Sequence, residues 1–304
     1  MHRIILDVDL AMGAPGSDID DGFALAWALA DPDLQVDLVT TVNGNTDAGS
    51  ATALTLELLH RLGCDDLPVH RGAERPLLQP KHRQGTIPDD VVVRDPRPEP
   101  AAAAMVEHVL AHPGQITLVA VGPLTNVALA LRMHRDFASS LKSLVVMGGR
   151  FEPPESVGHG EFNIWNDPEA AQIVLDSPVT ARWVGLDVTT QVRMSRDEAV
   201  ELSGDSRPFA AFAGAHTVAW IDHIHAGPTD GSSSCAMHDP LAVAAASHPE
   251  LLTWRPAHLT VDLTEPGLGT TTATFDATDA NAEVAVAVDT AGFHRLLLER
   301  LRSL

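Results

Sequence analysis

Five aspartates fall within residues 7–21: Asp7 and Asp9, then Asp18, Asp20 and Asp21, on either side of the Gly- and Pro-containing segment 10–17. Carboxylates crowded this closely repel one another unless a proton or a cation intervenes. A hard divalent cation with oxygen ligands is the natural remedy, calcium or magnesium before others. The spacing is not that of an EF-hand loop. Asp7 and Asp9 stand two residues apart at the end of an apolar run, so in a strand both point the same way. A plainer role exists for part of the cluster, because Asp18 or Asp20 could cap the helix that follows.

Other polar groups recur at the ends of apolar runs. Gly44-Asn45 follows one, and alone it reads as a turn. Residues 121–126, VGPLTN, follow a strand-like run and open a helix, which leaves the Val121 carbonyl available to a cation. Met147-Gly148-Gly149 lets a group approach the backbone closely. Glu161 and Asn163 sit just before Asp167-Pro168-Glu169, a good helix start with Asp167 as its cap. If the chain is extended there, Glu161 and Asn163 share a side. A carboxylate and an amide so placed suit a sugar diol. His238-Asp239-Pro240 precedes a small-residue helix; Asp239 is either its cap or a metal ligand, and His238 titrates near neutrality, as a proton donor must.

These residues need elements to hold them. Apolar runs at Arg3–Val8, Gln35–Val42, Gln115–Val121, Ser143–Met147 and Thr180–Leu186 read as strands. Residues 21–30, 46–62, 123–133 and 167–175 carry helical spacing between them. This alternation predicts an α/β fold: a mainly parallel central sheet with helices on both faces, open and doubly wound. Strand-to-helix loops then gather at the carboxyl edge of the sheet, where ligand sites of such folds lie. Residues 76–100 read as a surface excursion, residues 226–237 as a mobile Gly/Ser segment, and residues 253–288 as strands with turns. Residues 289–301 close the chain as an amphipathic helix. No linker or repeat interrupts the series, so residues 1–304 are expected to form one domain.

The chain carries 20 Lys and Arg against 41 Asp and Glu, a formal charge of −21. Such a field disfavours nucleic acid, and it disfavours phosphorylated substrates unless a local cluster or a metal compensates. No apolar run reaches the roughly 20 residues that span a bilayer, and the N-terminus does not read as a signal peptide; a cytoplasmic protein is expected. Two cysteines far apart, Cys64 and Cys235, give neither a disulfide framework nor a zinc site, and each is expected as a free buried thiol.

Taken in order, the motifs resemble the inosine-uridine-preferring nucleoside hydrolase family: DxD with a following DD, GN, VGPLTN, MGG, EFN with DPEAA, GLDVT at 185–189, then HDP, running from residue 7 to residue 240. The resemblance implies calcium-dependent hydrolysis of the N-glycosidic bond of ribonucleosides to ribose and free base, with a nucleoside as partner and a homodimer or homotetramer as assembly. It implies that Asp9, Asp21, the Val121 carbonyl and Asp239 bind calcium, with Asp7 supporting that shell. It implies that Asp20, Asn45, Glu161 and Asn163 grip the ribose. Asp9 would accept the proton of the attacking water, and His238 would protonate the departing base.

Departures cluster on the base side. The family's compact DTDPGxDD is lengthened here by the segment before Asp20, and Asp18 competes for the second acidic position; Asp20 and Asp21 are preferred because GFAL follows them. His82 stands in KHRQGT where the family has a His-Gly segment. Glu155 stands where asparagine is common, and Thr190 where histidine is common. Trp220, His223 and His225 are candidates for stacking on the base or protonating it. Four other readings remain: a hydrolase of another ribosyl or phosphorylated substrate, a magnesium phosphatase of the haloacid dehalogenase type, for which no lysine is well placed, a calcium-dependent nucleoside-binding protein without turnover, and, last, a purely structural α/β protein, which leaves Asp7, Asp9, Asp20 and Asp21 crowded without cause.

Overall fold

The structure, a computed structural model, describes residues 1–80, 83–151, 160–179, 181–227, 231 and 233–304. Nine strands form one sheet: β1 His2–Val8, β2 Leu34–Thr41, β3 Val69–Arg71, β4 Ile116–Ala120, β5 Ser143–Met147, β6 Ala181–Val184, β9 Leu252–Val261, β10 Thr271–Phe275 and β11 Ala282–Val288. Two short strands, β7 Arg193–Ser195 and β8 Ser234–Ala236, pair antiparallel apart from it. The sheet order is β10-β9-β11-β6-β5-β4-β1-β2-β3. Pairs from β3 through β6 to β11 are parallel, and only β9 runs against its neighbours β10 and β11.

The sheet is mainly parallel because its central strands are apolar on both faces. Along β1, Ile4, Leu6 and Val8 pack into one core and Ile5 into the other. The first core takes the helices Asp20–Ala30, Ala48–Arg61, Pro208–Ile224, His238–Ser247 and Thr290–Leu301; the second takes Ala101–Ala111, Thr125–Met133 and Pro168–Leu175. Helices on both faces are the doubly wound arrangement the alternation predicts. From β1 the chain moves outward to β2 and β3, then returns to β4 on the other side of β1. The strand order therefore reverses between β1 and β4, and a crevice opens there at the carboxyl edge. No helix among the described residues is long and apolar enough to cross a membrane.

Several local expectations are corrected. Glu161 and Asn163 are not extended: Phe162–Asn166 is a short helix, and the Glu161 carboxylate caps it by accepting from Asn163 N and Ile164 N. The helix after Val121 starts at Thr125 rather than Pro123. Neither Asp18 nor Asp20 caps the first helix; Ile19 holds that position without a side-chain bond, and Asp20 and Asp21 sit in the first turn. Part of the Gly/Ser segment is ordered by pairing, as β8 on β7; residues 228–230 and 232 lie outside the described residues, as do His82 and Glu155. Cys235 is buried, but Cys64 is half-buried.

Candidate active site

At the crevice between β1 and β4, two helix N-termini meet. The helix from Asp20 packs on the helix from His238, and Asp239 N donates to Asp20 Oδ2 at 3.1 Å. That contact brings Asp20, Asp21 and Asp239 together, with one carboxylate oxygen of each within 4.8 Å of the others. All three are buried, as are Asp7 and Asp9. The positive ends of the two helices offset part of the charge. The remainder shows in the acid strengths. Burial, the largest cause, followed by the neighbouring carboxylates, holds Asp21 and Asp239 well above the ordinary carboxylate range. Burial likewise pushes Asp20 up to about 6 and Asp9 up to about 7. Buried anions at this density call for a counter-ion.

Asp9 lies just past β1, beside the trio. Its backbone N donates to Asp21 Oδ1 at 3.1 Å, and its Oδ2 accepts from Asn45 N at 2.6 Å. Its Oδ1 is buried without a hydrogen-bond partner among the described residues. Asn45 also donates through Nδ2 to Asp21 Oδ2 at 3.2 Å, tying the two acids together. Two glycines make room for this carboxylate: a Cβ at Gly44 would overlap Asp9 Oδ2, and one at Gly122 would lie 2.9 Å from Asp9 Oδ1. Gly44→Ala is therefore expected to push Asp9 aside and cut activity at least about tenfold, with the fold kept, because a displacement of about 1 Å at a reacting group costs far more in rate than in stability. Circular dichroism and steady-state kinetics on one preparation check this.

Beneath Asp9, Asp7 is fully buried; Thr40 Oγ1 donates to its Oδ1 at 2.6 Å and Asn126 Nδ2 at 2.8 Å, while Oδ2 has no partner. Burial pushes Asp7 up to about 7 against those two bonds. Asn126 also donates to Thr41 O at 2.9 Å and accepts from Ala73 N at 2.9 Å, so one amide joins the ends of β1, β2 and β3.

A cleft of about 720 Å³, its open mouth included, lies over the carboxylates. Asp18, Asp20, Asn45, Val121, Glu161, Asn163, His238 and Asp239 line it with Arg83, Met147, Phe162, Leu186 and Trp220. On one wall, Glu161 accepts from three backbone N–H groups, at Gly149, Asn163 and Ile164. Asn163 Nδ2 donates to Val121 O at 2.7 Å, so that carbonyl is not free as expected; its second lone pair is what a cation would use. On another wall, His238 Nδ1 shares a hydrogen bond with Thr189 Oγ1 at 2.7 Å. Desolvation lowers the pKa of His238, and Asp18 opposes that. Desolvation, then Asp20, pushes Asp18 up to about 8.

All but two of the residues expected at the site line this cleft or belong to the acidic trio; Asp9 sits under it through Asn45 and Asp21, and Asp7 sits deeper. Of the three aromatic candidates, only Trp220 lines the cleft; His223 stacks on Trp220, ring centroids 5.6 Å apart. The expected split between metal ligands and ribose ligands is less distinct in space: Asp20, expected on the ribose, shares the trio with Asp21 and Asp239. Sequence reasoning missed Arg83, Phe162 and Leu186 as cleft residues, Thr189 as the partner of His238, and Asn126 as the tie beneath. The signals for Thr189 and Asn126 were their places inside GLDVT and VGPLTN.

Comparison with known proteins identifies the family. The model of the inosine-uridine preferring nucleoside hydrolase family matches residues 4–295. The non-specific ribonucleoside hydrolase RihC of Klebsiella pneumoniae subsp. pneumoniae is 34% identical over 313 residues, covering 97% of each chain. That of Salmonella typhi is 35% identical over 310 residues, covering 98% of this chain and 96% of its own. Among solved structures, a plant nucleoside hydrolase superposes with a TM-score of 0.87 at 28% identity, covering 99% of this chain and 98% of its own. An inosine-guanosine nucleoside hydrolase superposes at 0.81 and 26% identity, covering 100% and 99%. Likeness of sequence over nearly the whole length, and of fold at the same span, makes this chain a member of the inosine-uridine preferring nucleoside hydrolase family.

Proposed function

We propose that this nucleosidase, an N-glycosyl hydrolase, uses calcium to cleave the bond between ribose and base in ribonucleosides, releasing ribose and free base. The observation that carries it is the meeting of Asp20, Asp21 and Asp239 in a buried floor beneath a cleft lined by amide, carboxylate, histidine and indole groups. An oxygen-only donor set with carboxylates, a backbone carbonyl and room for further oxygens suits calcium better than softer ions. Asp9, Asp21, the Val121 carbonyl and Asp239 are the residues to hold it. The partnerless, buried Oδ1 of Asp9 fits that need. Asp7, locked by Thr40 and Asn126, supports the end of β1 from below.

When bound, calcium supplies a fixed point for ribose hydroxyls and raises the acidity of a neighbouring water. The protein's own residues do the rest. Asp20, Asn45, Glu161 and Asn163 take the ribose hydroxyls, which fixes the sugar before reaction. Asp9 accepts the proton of the water that attacks the anomeric carbon. The carboxylates stabilise the positive charge that grows on the ribose as the base departs. His238, oriented by Thr189, gives a proton to the leaving base, and Trp220 offers it an aromatic face. Residues 1–304 act as one domain, in the cytoplasm, as a homodimer or homotetramer.

The test is ribose and base release from a panel of ribonucleosides with calcium present and after chelation. Calcium-restorable release supports the proposal. Release that survives chelation removes calcium from it. Tight nucleoside binding with no release would instead make the chain a binding protein.

A further inference from the structure

Arg83 is the one arginine or lysine among the described residues lining the cleft, and it has no carboxylate partner among the described residues. That is unexpected in a cleft that also holds Asp18, Asp20, Glu161 and Asp239. The guanidinium is instead laid on the ring of Phe162, 4.5 Å from its centroid. Its backbone is fixed as well: Asn43 Nδ2 donates to Arg83 O at 3.2 Å, and two residues on, Gly85 N donates to Asp47 Oδ2 at 2.8 Å. The start of the same excursion is tied down at Leu77 N, which donates to Asp167 at 2.9 Å, and at Gln79, which donates to Glu169. Arg83 is thus a cation held at the cleft by an aromatic face, with its N–H donors uncommitted among the described residues.

Its position gives it a direction. Phe162 lies between Glu161 and Asn163 in the chain, so Arg83 stands over the wall assigned above to the ribose. The charge of Glu161 is already met by three backbone donors, which lessens its repulsion of a second anion. We propose that Arg83 reads the substituent on the outer carbon of the ribose and admits ribonucleoside 5′-monophosphates as a second substrate class. This rests on the assignment of Glu161 and Asn163 to the ribose. A planar guanidinium matches a phosphate through paired N–H donors, and it supplies the local positive charge that a chain of net charge −21 otherwise lacks. The reaction balances as ordinary hydrolysis. The bond from the anomeric carbon to the base nitrogen breaks, water oxygen bonds to that carbon, one water proton goes to Asp9 and then to solvent, and the base leaves with a proton from His238, which solvent restores. The phosphate stays on the sugar.

The experiment compares kcat/KM of the calcium-loaded enzyme for a ribonucleoside and for its own 5′-monophosphate, with calcium in excess of phosphate. It is repeated for Arg83→Ala and Arg83→Lys. The expected result is base release from both substrates, with Arg83→Ala lowering the monophosphate value at least about tenfold further than the nucleoside value, and Arg83→Lys recovering part of that ratio. Turnover of the nucleoside with none of the monophosphate overturns the inference alone, as does an unchanged ratio in Arg83→Ala. Failure on both substrates overturns the underlying nucleosidase reading and this inference with it.

Discussion

Asp9→Ala lowers ribonucleoside turnover by about a thousandfold or more, while the fold survives. A positioned proton acceptor alone contributes about 10²–10⁴ in rate, and Asp9 is asked to hold the cation as well. The loss has a structural cause that can be separated from misfolding. Asp9 Oδ1 has no partner among the described residues, so its removal breaks no bond to them in the metal-free protein. Oδ2 accepts the Asn45 backbone N–H. Asp9→Asn keeps an acceptor for that N–H and removes a buried negative charge beside Asp21. Its metal-free melting temperature should therefore equal or exceed that of the parent, while its turnover falls with that of Asp9→Ala. Activity within tenfold of the parent in either variant would remove Asp9 from both roles. A metal-free melting temperature well below the parent for Asp9→Asn would make the residue structural.

The layout of the site was readable because its acids follow strands. An apolar run that ends in Asp7 and Asp9, and another that ends at Val121, become neighbours once the alternation of strands and helices is taken as a parallel sheet. That β1 and β4 pair side by side is a matter of topology that no local pattern states. What stayed hidden is what irregular chain delivers. Arg83 comes from an excursion whose course is set by distant bonds to Asp47 and Asp167. Thr189 reaches His238 across 49 positions. The conformation at Glu161 stayed hidden for a different reason. Its carboxylate caps a helix of only five residues, too short to leave a periodic trace, and the turn it makes aims Asn163 at the Val121 carbonyl. Asp18 was weighed as a rival ligand. It lines the cleft near His238, where the lengthened segment before Asp20 carries it.

The acidic floor also fixes how stability responds to pH and to calcium. In the metal-free protein, burial raises Asp7 and Asp9 to about 7 and Asp20 to about 6, and holds Asp21 and Asp239 higher than ordinary carboxylates. In the unfolded chain these groups ionise in the ordinary range. Between the two ranges the folded state binds more protons than the unfolded state, so stability falls as pH rises. Metal-free protein should thus melt at a lower temperature at pH 8 than at pH 5.5. Carboxylates with lowered values, such as Asp31, Asp47 and Glu57, act in the opposite sense only at more acidic pH. Burial lowers the values of His2, His216 and His238, which oppose the fall below about pH 6.5, but above it the raised carboxylates act alone. Calcium competes with those same protons, so it binds best where they have left. At 100 times its dissociation constant, a ligand adds about 2.7 kcal/mol, which for a chain of 304 residues corresponds to a rise of about 4 °C. That rise should be large at pH 8 and much smaller at pH 5.5. Scanning calorimetry with and without calcium at both values reads it directly. An equal rise at both values, or a larger one at pH 5.5, would mean that the cation does not replace protons on these carboxylates and binds elsewhere.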